Sequence, residues 1–166
     1  MLFVGWHELT IDAKQRLAVP SEIRSQLGAS GDGQTDGQSG GGGESGGLYA
    51  VIQEGPTLSL YTVAGFEKRA EQLEASPRPP EEVLAYEQMF YALASRVELD
   101  KQGRVRLPER LLRIAGLARD VVMIGVKDHL QIHDRTAWEA KVADNLANRP
   151  ELLMNPRRVI GPRETK

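Results

Sequence analysis

The stretch LTIDAKQRLAVP, residues 9–20, returns as VELDKQGRVRLP, residues 97–108, at an offset of 88 positions. Asp12, Arg16 and Pro20 recur as Asp100, Arg104 and Pro108. Leu9, Ile11, Leu17 and Val19 meet Val97, Leu99, Val105 and Leu107, and these apolar residues alternate along the chain. A period of two is the mark of a strand with one buried face. Each copy therefore reads as strand, tight turn, strand. Val19 and Leu107 precede prolines, which favour extended geometry in the residue before them, so the strands end there.

A second match extends the repeat outward. LSLY at 58–61 aligns with LQIH at 130–133, and Phe66 aligns with Trp138, now at an offset of 72. The first copy is thus 16 residues longer between the two matches. The excess falls in ASGDGQTDGQSGGGGESGG, residues 29–47, which holds no apolar residue larger than alanine. Such a segment cannot offset its own ordering entropy and is expected to be a disordered insertion. It contains no Lys or Arg, so a solvated linker is the reading rather than a phosphate cradle.

The rest of each copy follows the same order. Pro20 and Pro108 suit the first position of a short helix. Ile23 and Leu27 give one helix its apolar face, and Leu111, Leu112 and Ala115 give the other. Gly28 and Gly116 are placed to stop these helices. Strands are expected at 48–53 with 57–62 and at 120–125 with 129–134, and exit helices at 65–75 and 136–146. Thr136 and Glu139 have the spacing of a capping box. A further helix near 81–93 joins the copies. The expected fold is mainly β with flanking α-helices. One repeat is too small to bury a core alone, so two copies are expected to interlock their hairpins by pseudo-twofold symmetry into one closed β-barrel, leaving no open sheet edge. The organisation reads as repeat 1 over 6–64, a helical linker over 65–93, repeat 2 over 94–137, a C-terminal helix over 138–148 and a flexible basic tail over 149–166.

Composition sets outer bounds. The chain has 166 residues, 40% hydrophobic and 27% charged, an ordinary globular balance. It has no cysteine, which excludes a disulfide framework or thiolate metal site and is compatible with a reducing cytosol. The apolar start is too short for a signal peptide, and no stretch approaches a membrane span; a soluble cytoplasmic protein is expected. The net charge of -2 argues against a nucleic-acid binder of uniformly basic surface. The distribution is uneven, however: residues 94–119 carry a net +4, residues 65–93 a net -3 and residues 156–166 a net +3. Localised basic charge suits a protein with one face turned to nucleic acid.

The chemistry lies in the two Asp-x-x-x-Arg turns. An aspartate opening a turn accepts hydrogen bonds from the next backbone N–H groups. Four residues later the chain has reversed, and the arginine returns beside it. Asp12 and Asp100 are read as turn-structuring, together with Gly103. Arg16 and Arg104 have two readings: ion pairs that only pin the turn, or guanidinium groups held in place to fork onto phosphate or guanine. Lys14 and Lys101 are candidate phosphate contacts. Arg106 shares the strand face of Arg104, where a further DNA contact and a solvated surface charge are both open.

These two hairpins, with the strand and Trp138 helix after the second, resemble the MraZ family of the SpoVT/AbrB swapped-hairpin group over about residues 3–146. The resemblance implies a double-wing swapped-hairpin barrel and ring-shaped homo-oligomers. It implies binding to double-stranded DNA at short direct repeats upstream of the division and cell-wall gene cluster, with repression of the protein's own operon. It also implies association with the nucleoid. The DNA contacts it implies fall on Lys14, Arg16, Lys101 and Arg104. Gln15 departs from the pattern, standing where the family usually has glycine, as the second turn has Gly103.

Two other classes compete. An enzyme would need a site that no motif indicates: no nucleophile elbow, phosphate-binding loop or dinucleotide fingerprint occurs. His129 and His133 would share one side of a strand, but no third ligand is suggested, so no metal or cofactor is expected. A non-DNA-binding assembly module or antitoxin-like interaction module is the other alternative, since the same hairpin group serves such roles. Four cationic residues at the hairpin tips are the feature such a module does not need.

Overall fold

The computed structural model describes residues 2–29 and 47–154. The chain divides after Asp134 into two units. The core of the insertion, 30–46, expected to be disordered, and the last part of the tail, 155–166, expected to be flexible, lie outside the described residues.

The first unit holds most of the structure. It runs β1 (Trp6–Thr10), β2 (Arg16–Ala18), α1 (Ser21–Ala29), β3 (Gly47–Gln53), β4 (Thr57–Thr62), α2 (Val63–Glu74) and α3 (Pro80–Ala92). It continues with β5 (Ser95–Glu98), β6 (Arg104–Arg106), α4 (Glu109–Ile114), β7 (Asp120–Val126) and β8 (His129–Asp134). The second unit contributes α5 (Arg135–Asn148) and the single turn α6 (Glu151–Met154). The order β-β-α-β-β-α thus occurs twice, with α3 between the two occurrences.

Six strands form one antiparallel sheet in the order β1-β7-β8-β4-β3-β5. Replacing each strand by its counterpart in the other copy reverses this order and leaves it unchanged. The first strand of each copy pairs with the other copy: β1 with β7, and β5 with β3. The second strands pair with each other, β2 with β6, as a separate two-stranded ribbon.

The sheet is open. β1 and β5 are its edges and do not meet, which corrects the closed barrel expected from the repeat. The reason lies in the hairpins. Each keeps only one bridge past its turn, Ile11 to Leu17 and Leu99 to Val105. Beyond that bridge, β2 and β6 use their hydrogen-bonding groups on each other, and among the described residues no strand closes the gap between β1 and β5.

The main core lies where the ribbon meets the sheet. Leu17, Val105 and Leu107 are completely buried, with Leu48, Leu58, Val121, Met123 and Ile132 in the same cluster. A smaller aromatic cluster joins the sheet to the helices: Phe66 stacks on Tyr49 with ring centroids 4.2 Å apart and on Phe90 at 5.4 Å.

Element ends show several differences from expectation. α1 continues through Gly28 to Ala29, whereas Gly116 does terminate α4, in the left-handed region at φ +63°. Pro108 caps α4 from just outside rather than occupying its first turn, because its ψ of 132° keeps it extended. α5 begins at Arg135, so Thr136 lies within the first turn and is not the cap. The capping threonine is instead Thr62, whose Oγ1 accepts a 3.0 Å hydrogen bond from the Gly65 N–H at the start of α2.

Burial of the ribbon predicts its weight in stability. Leu17→Ala removes a fully buried side chain and is expected to lower the unfolding free energy by about 2–5 kcal/mol, read from urea denaturation of the full chain.

Candidate nucleic-acid interface

The two hairpin turns have the same internal construction. In the first, Asp12 Oδ1 accepts from the Lys14 and Arg16 N–H groups, each at 2.9 Å. Its Oδ2 accepts from Arg16 Nε at 2.7 Å. In the second, Asp100 Oδ1 accepts from the Gln102 and Arg104 N–H groups, each at 2.9 Å, and Oδ2 accepts from Arg104 Nε at 2.9 Å. Backbone bonds close both loops, with the Gln15 N–H reaching Asp12 O at 2.9 Å and the Gly103 N–H reaching Asp100 O at 3.0 Å.

A turn of this shape needs a left-handed residue before the arginine. Gln15 has φ +61° and Gly103 has φ +75°. Glycine adopts this conformation freely, whereas a residue with a Cβ is strained there. The departure at Gln15 is therefore accommodated without a change of turn.

The carboxylates respond to their donors. The Arg16 backbone N–H leads in holding the Asp12 carboxyl below the usual carboxylate range, desolvation opposes it, and the Arg16 side chain and the Lys14 N–H add to the lowering. Asp100 is lowered in the same way by the Arg104 N–H first, against desolvation, with the Arg104 side chain and Gln102 N–H contributing.

Tertiary structure then joins the turns. The Val19 N–H donates to Gly103 O and the Leu107 N–H to Gln15 O, both at 2.9 Å. Each left-handed residue thus anchors the opposite hairpin. The ribbon register sets Arg16 opposite Arg106, Leu17 opposite Val105 and Ala18 opposite Arg104. Leu17 and Val105 are buried, so alternation puts Arg16, Ala18, Arg104 and Arg106 on the other face. Three of the five residues expected to contact DNA are gathered there. Lys14 and Lys101 are exposed in the turns, at different places: Lys14 is the second residue after its aspartate and Lys101 the first after its own.

The electrostatics of this face are unbalanced. Arg16 and Arg106 are like charges directly across a strand pair, an arrangement that is destabilising by itself. Asp12 offsets Arg16, but Arg106 has no ion pair among the described residues. In Arg16 and Arg104 the aspartate engages only Nε, and among the described residues the terminal Nη atoms of both have no hydrogen-bond partner. The carboxylate fixes each side chain at its base and leaves its fork unoccupied.

One residue of this region escaped the sequence reading. Arg24, on α1, donates from Nε to Val19 O at 3.1 Å and lies over the second turn. A Cβ built on Gly103 would come within 2.5 Å of its Nη1. The counterpart of Arg24 in the other copy is Leu112, which is buried, so the repeat itself concealed the role. Among the described residues no cluster of His, Asp or Glu could hold a metal ion, and no helix is long and apolar enough to cross a membrane.

Comparison with known proteins sets this geometry in a class. A family model described as "MraZ protein, putative antitoxin-like" matches residues 90–151. The chain is 34% identical over 144 residues to a protein of Salinispora arenicola, covering 87% of this chain and 89% of that one. It is 32% identical to one from Salinispora tropica with the same coverage, and 29% identical to one from Acetivibrio thermocellus, covering 86% and 88%. All three relatives bear the name transcriptional regulator MraZ. The chain belongs to the MraZ family.

The two turns predict opposite responses to exchange. Gln15→Gly relieves a strained conformation and is expected to raise stability by up to about 1 kcal/mol. Gly103→Ala introduces that strain and displaces Arg24, and is expected to lower stability by about 1 kcal/mol or more. Thermal melts of the two variants check the pair. A carboxyl with a depressed pKa adds stability that is present above its unfolded value, here 3.8, and is lost as pH falls through the folded value. The turns should therefore loosen only on acidification below 3.8, seen as coupled NMR shifts of the Asp12 and Asp100 carboxyls and the Lys14 and Gln102 amides.

Proposed function

We propose that this protein is a sequence-specific DNA-binding transcription regulator whose contacts are made by the β2–β6 ribbon and its two turns. The observation that carries the reading is the face on which Arg16, Arg104 and Arg106 stand together, with Arg16 and Arg106 across from each other. Such a face is relieved by a polyanion. Arg16 and Arg104, locked through Nε, offer two terminal nitrogens each, the geometry that pairs with phosphate oxygens or with O6 and N7 of guanine. Lys14 and Lys101 extend the cationic strip to phosphates on either side. A two-stranded ribbon is of a size that the major groove admits.

In this reading the crossed strand pairing is that of a double-wing swapped-hairpin protein, with repeat 1 over 6–64 and repeat 2 over 94–137. The palindromic strand order supports it. A few contacts per chain bind weakly against the net charge of -2. Several copies in a ring, each on one of a series of direct repeats, gain affinity through effective concentration. The binding site lies upstream of the division and cell-wall genes, the outcome is repression of the protein's own operon, and the protein resides at the nucleoid. The names of the relatives support the regulatory role.

The antitoxin-like description of the family model favours a second reading, in which the ribbon binds a protein. One experiment separates the two. Fluorescence anisotropy compares DNA from upstream of the protein's own gene with scrambled DNA of equal length at two salt concentrations. Selective binding that weakens with salt, and falls at least a hundredfold in folded Arg16→Ala/Arg104→Ala, is expected. Equal affinity for both DNAs at low salt overturns operator recognition and moves the assignment to protein binding.

A further inference from the structure

A second site lies in the first unit, away from the residues of the ribbon. α2, α3 and the ends of β3 and β8 line an open cleft of about 660 Å³, a size that fits a small molecule. Its walls combine the apolar bodies of Leu73, Val83 and Tyr86 with a polar floor of Gln53, His129 and Gln131.

The floor is held rigid by a network that continues beneath it. Gln53 Oε1 accepts from the Ser59 hydroxyl at 2.6 Å, and its Nε2 donates to the Tyr61 oxygen at 2.5 Å. His129 stacks on Tyr61 with ring centroids 4.8 Å apart. His129 Nδ1 lies 2.8 Å from Asp128 Oδ1, and with that nitrogen donating, His129 Nε2 accepts from Gln131 Nε2 at 3.3 Å. Burial pushes the Tyr61 phenol up, so it stays protonated. Preorganised polar groups in a partly apolar cavity are the features of a ligand site.

Charge decides what kind of ligand fits. Two arginines line the cavity, Arg69 and Arg78. Arg78 pairs with Glu82 at 3.8 Å. Arg69 makes no ion pair: Nη1 reaches only the neutral Gln72 at 3.4 Å, and its Nε is buried with no hydrogen-bond partner among the described residues. A buried N–H donor left without an acceptor is costly, even where, as here, the outer nitrogens of the guanidinium reach solvent. The remaining carboxylate of the wall, Glu54, repels multiply charged anions. Arg69 is thus the lining cation whose guanidinium has no carboxylate in contact among the described residues, and beside apolar and aromatic walls it suits a single carboxylate on a small ring-bearing molecule.

We propose that this cavity is a binding site for a small aromatic monocarboxylate, with the carboxylate on Arg69, the ring against Tyr86, Leu73 and Val83, and polar substituents on Gln53 and Gln131. The site is independent of the DNA reading, because none of its residues belongs to the ribbon or turns.

Benzoate serves as the probe, with benzamide as its neutral isostere and phenyl phosphate as a dianion, each titrated into the full-length protein and followed by NMR. Benzoate should shift the side-chain amides of Gln53 and Gln131 and the ring of His129, with an apparent Kd in the millimolar range typical of so small a molecule, about 1 mM in order. Benzamide should bind at least tenfold more weakly, and phenyl phosphate no more tightly than benzoate. Arg69→Gln should lose at least tenfold in benzoate affinity while melting close to the wild-type temperature, since Arg69 makes no ion pair among the described residues. Arg16→Ala/Arg104→Ala should bind benzoate unchanged, which keeps this test separate from that of DNA binding. The proposal is overturned if benzoate leaves these resonances unmoved, if benzamide binds equally well, or if Arg69→Gln retains full affinity. A marked drop in melting temperature of Arg69→Gln would also overturn it, by making Arg69 a structural cation.

Discussion

The exchange of two backbone hydrogen bonds between the hairpins, from Val19 to Gly103 and from Leu107 to Gln15, is the constraint on which the rest of the molecule depends. Neither hairpin completes its own ladder. Each turns, makes one bridge and then gives its second strand to the other copy. The unpaired backbone groups that would result in a single copy are costly when buried, so each copy is complete only in the presence of the other. Leu17 and Val105, opposite each other in the ribbon and without solvent exposure, add apolar burial to the same junction. The left-handed conformations of Gln15 and Gly103 follow from it, because those residues must both close their own turn and present a carbonyl to the neighbouring strand.

The electrostatic character of the candidate interface is a consequence of this geometry. An aspartate four residues before an arginine would, on an exposed loop, be an ion pair of little worth. Here the carboxylate also accepts two backbone N–H groups, which ties it to the turn and the arginine to it. The guanidinium is held without being neutralised at its outer nitrogens. Across the ribbon Arg16 meets Arg106, an arrangement that no local preference favours. A chain with a net charge of -2 thereby gathers three arginines on one narrow face while the joining segment 65–93 carries a net -3.

The two copies have diverged where they meet this face. Gln15 stands opposite in role to Gly103, Ala18 to Arg106, and Leu112 to Arg24. The ribbon is therefore symmetric in backbone and asymmetric in charge, with Arg24 crossing from the first copy to cover the turn of the second. The cavity under α2 and α3 departs further from the repeat: its cations, Arg69 and Arg78, belong to the first exit helix and the segment after it.

Much of this was present in the amino-acid order. Alternating apolar residues, the paired Asp-x-x-x-Arg turns and the prolines after Val19 and Leu107 determined two hairpins, most of the helices and strands around them, and the positions of the clustered arginines. These are local properties, set by strand period, turn chemistry and backbone sterics within a few residues. The partners of the strands were a different matter. Period-two patterning states which face of a strand is buried and leaves open which strand lies beside it, so the expected closed barrel gave way to an open sheet with a crossed ribbon. The same limit hid the register that sets Arg16 against Arg106, the reach of Arg24 over Gly103 and the unpaired charge of Arg69. Each depends on residues far apart in the chain, and only the packing of the two copies against each other brought them together.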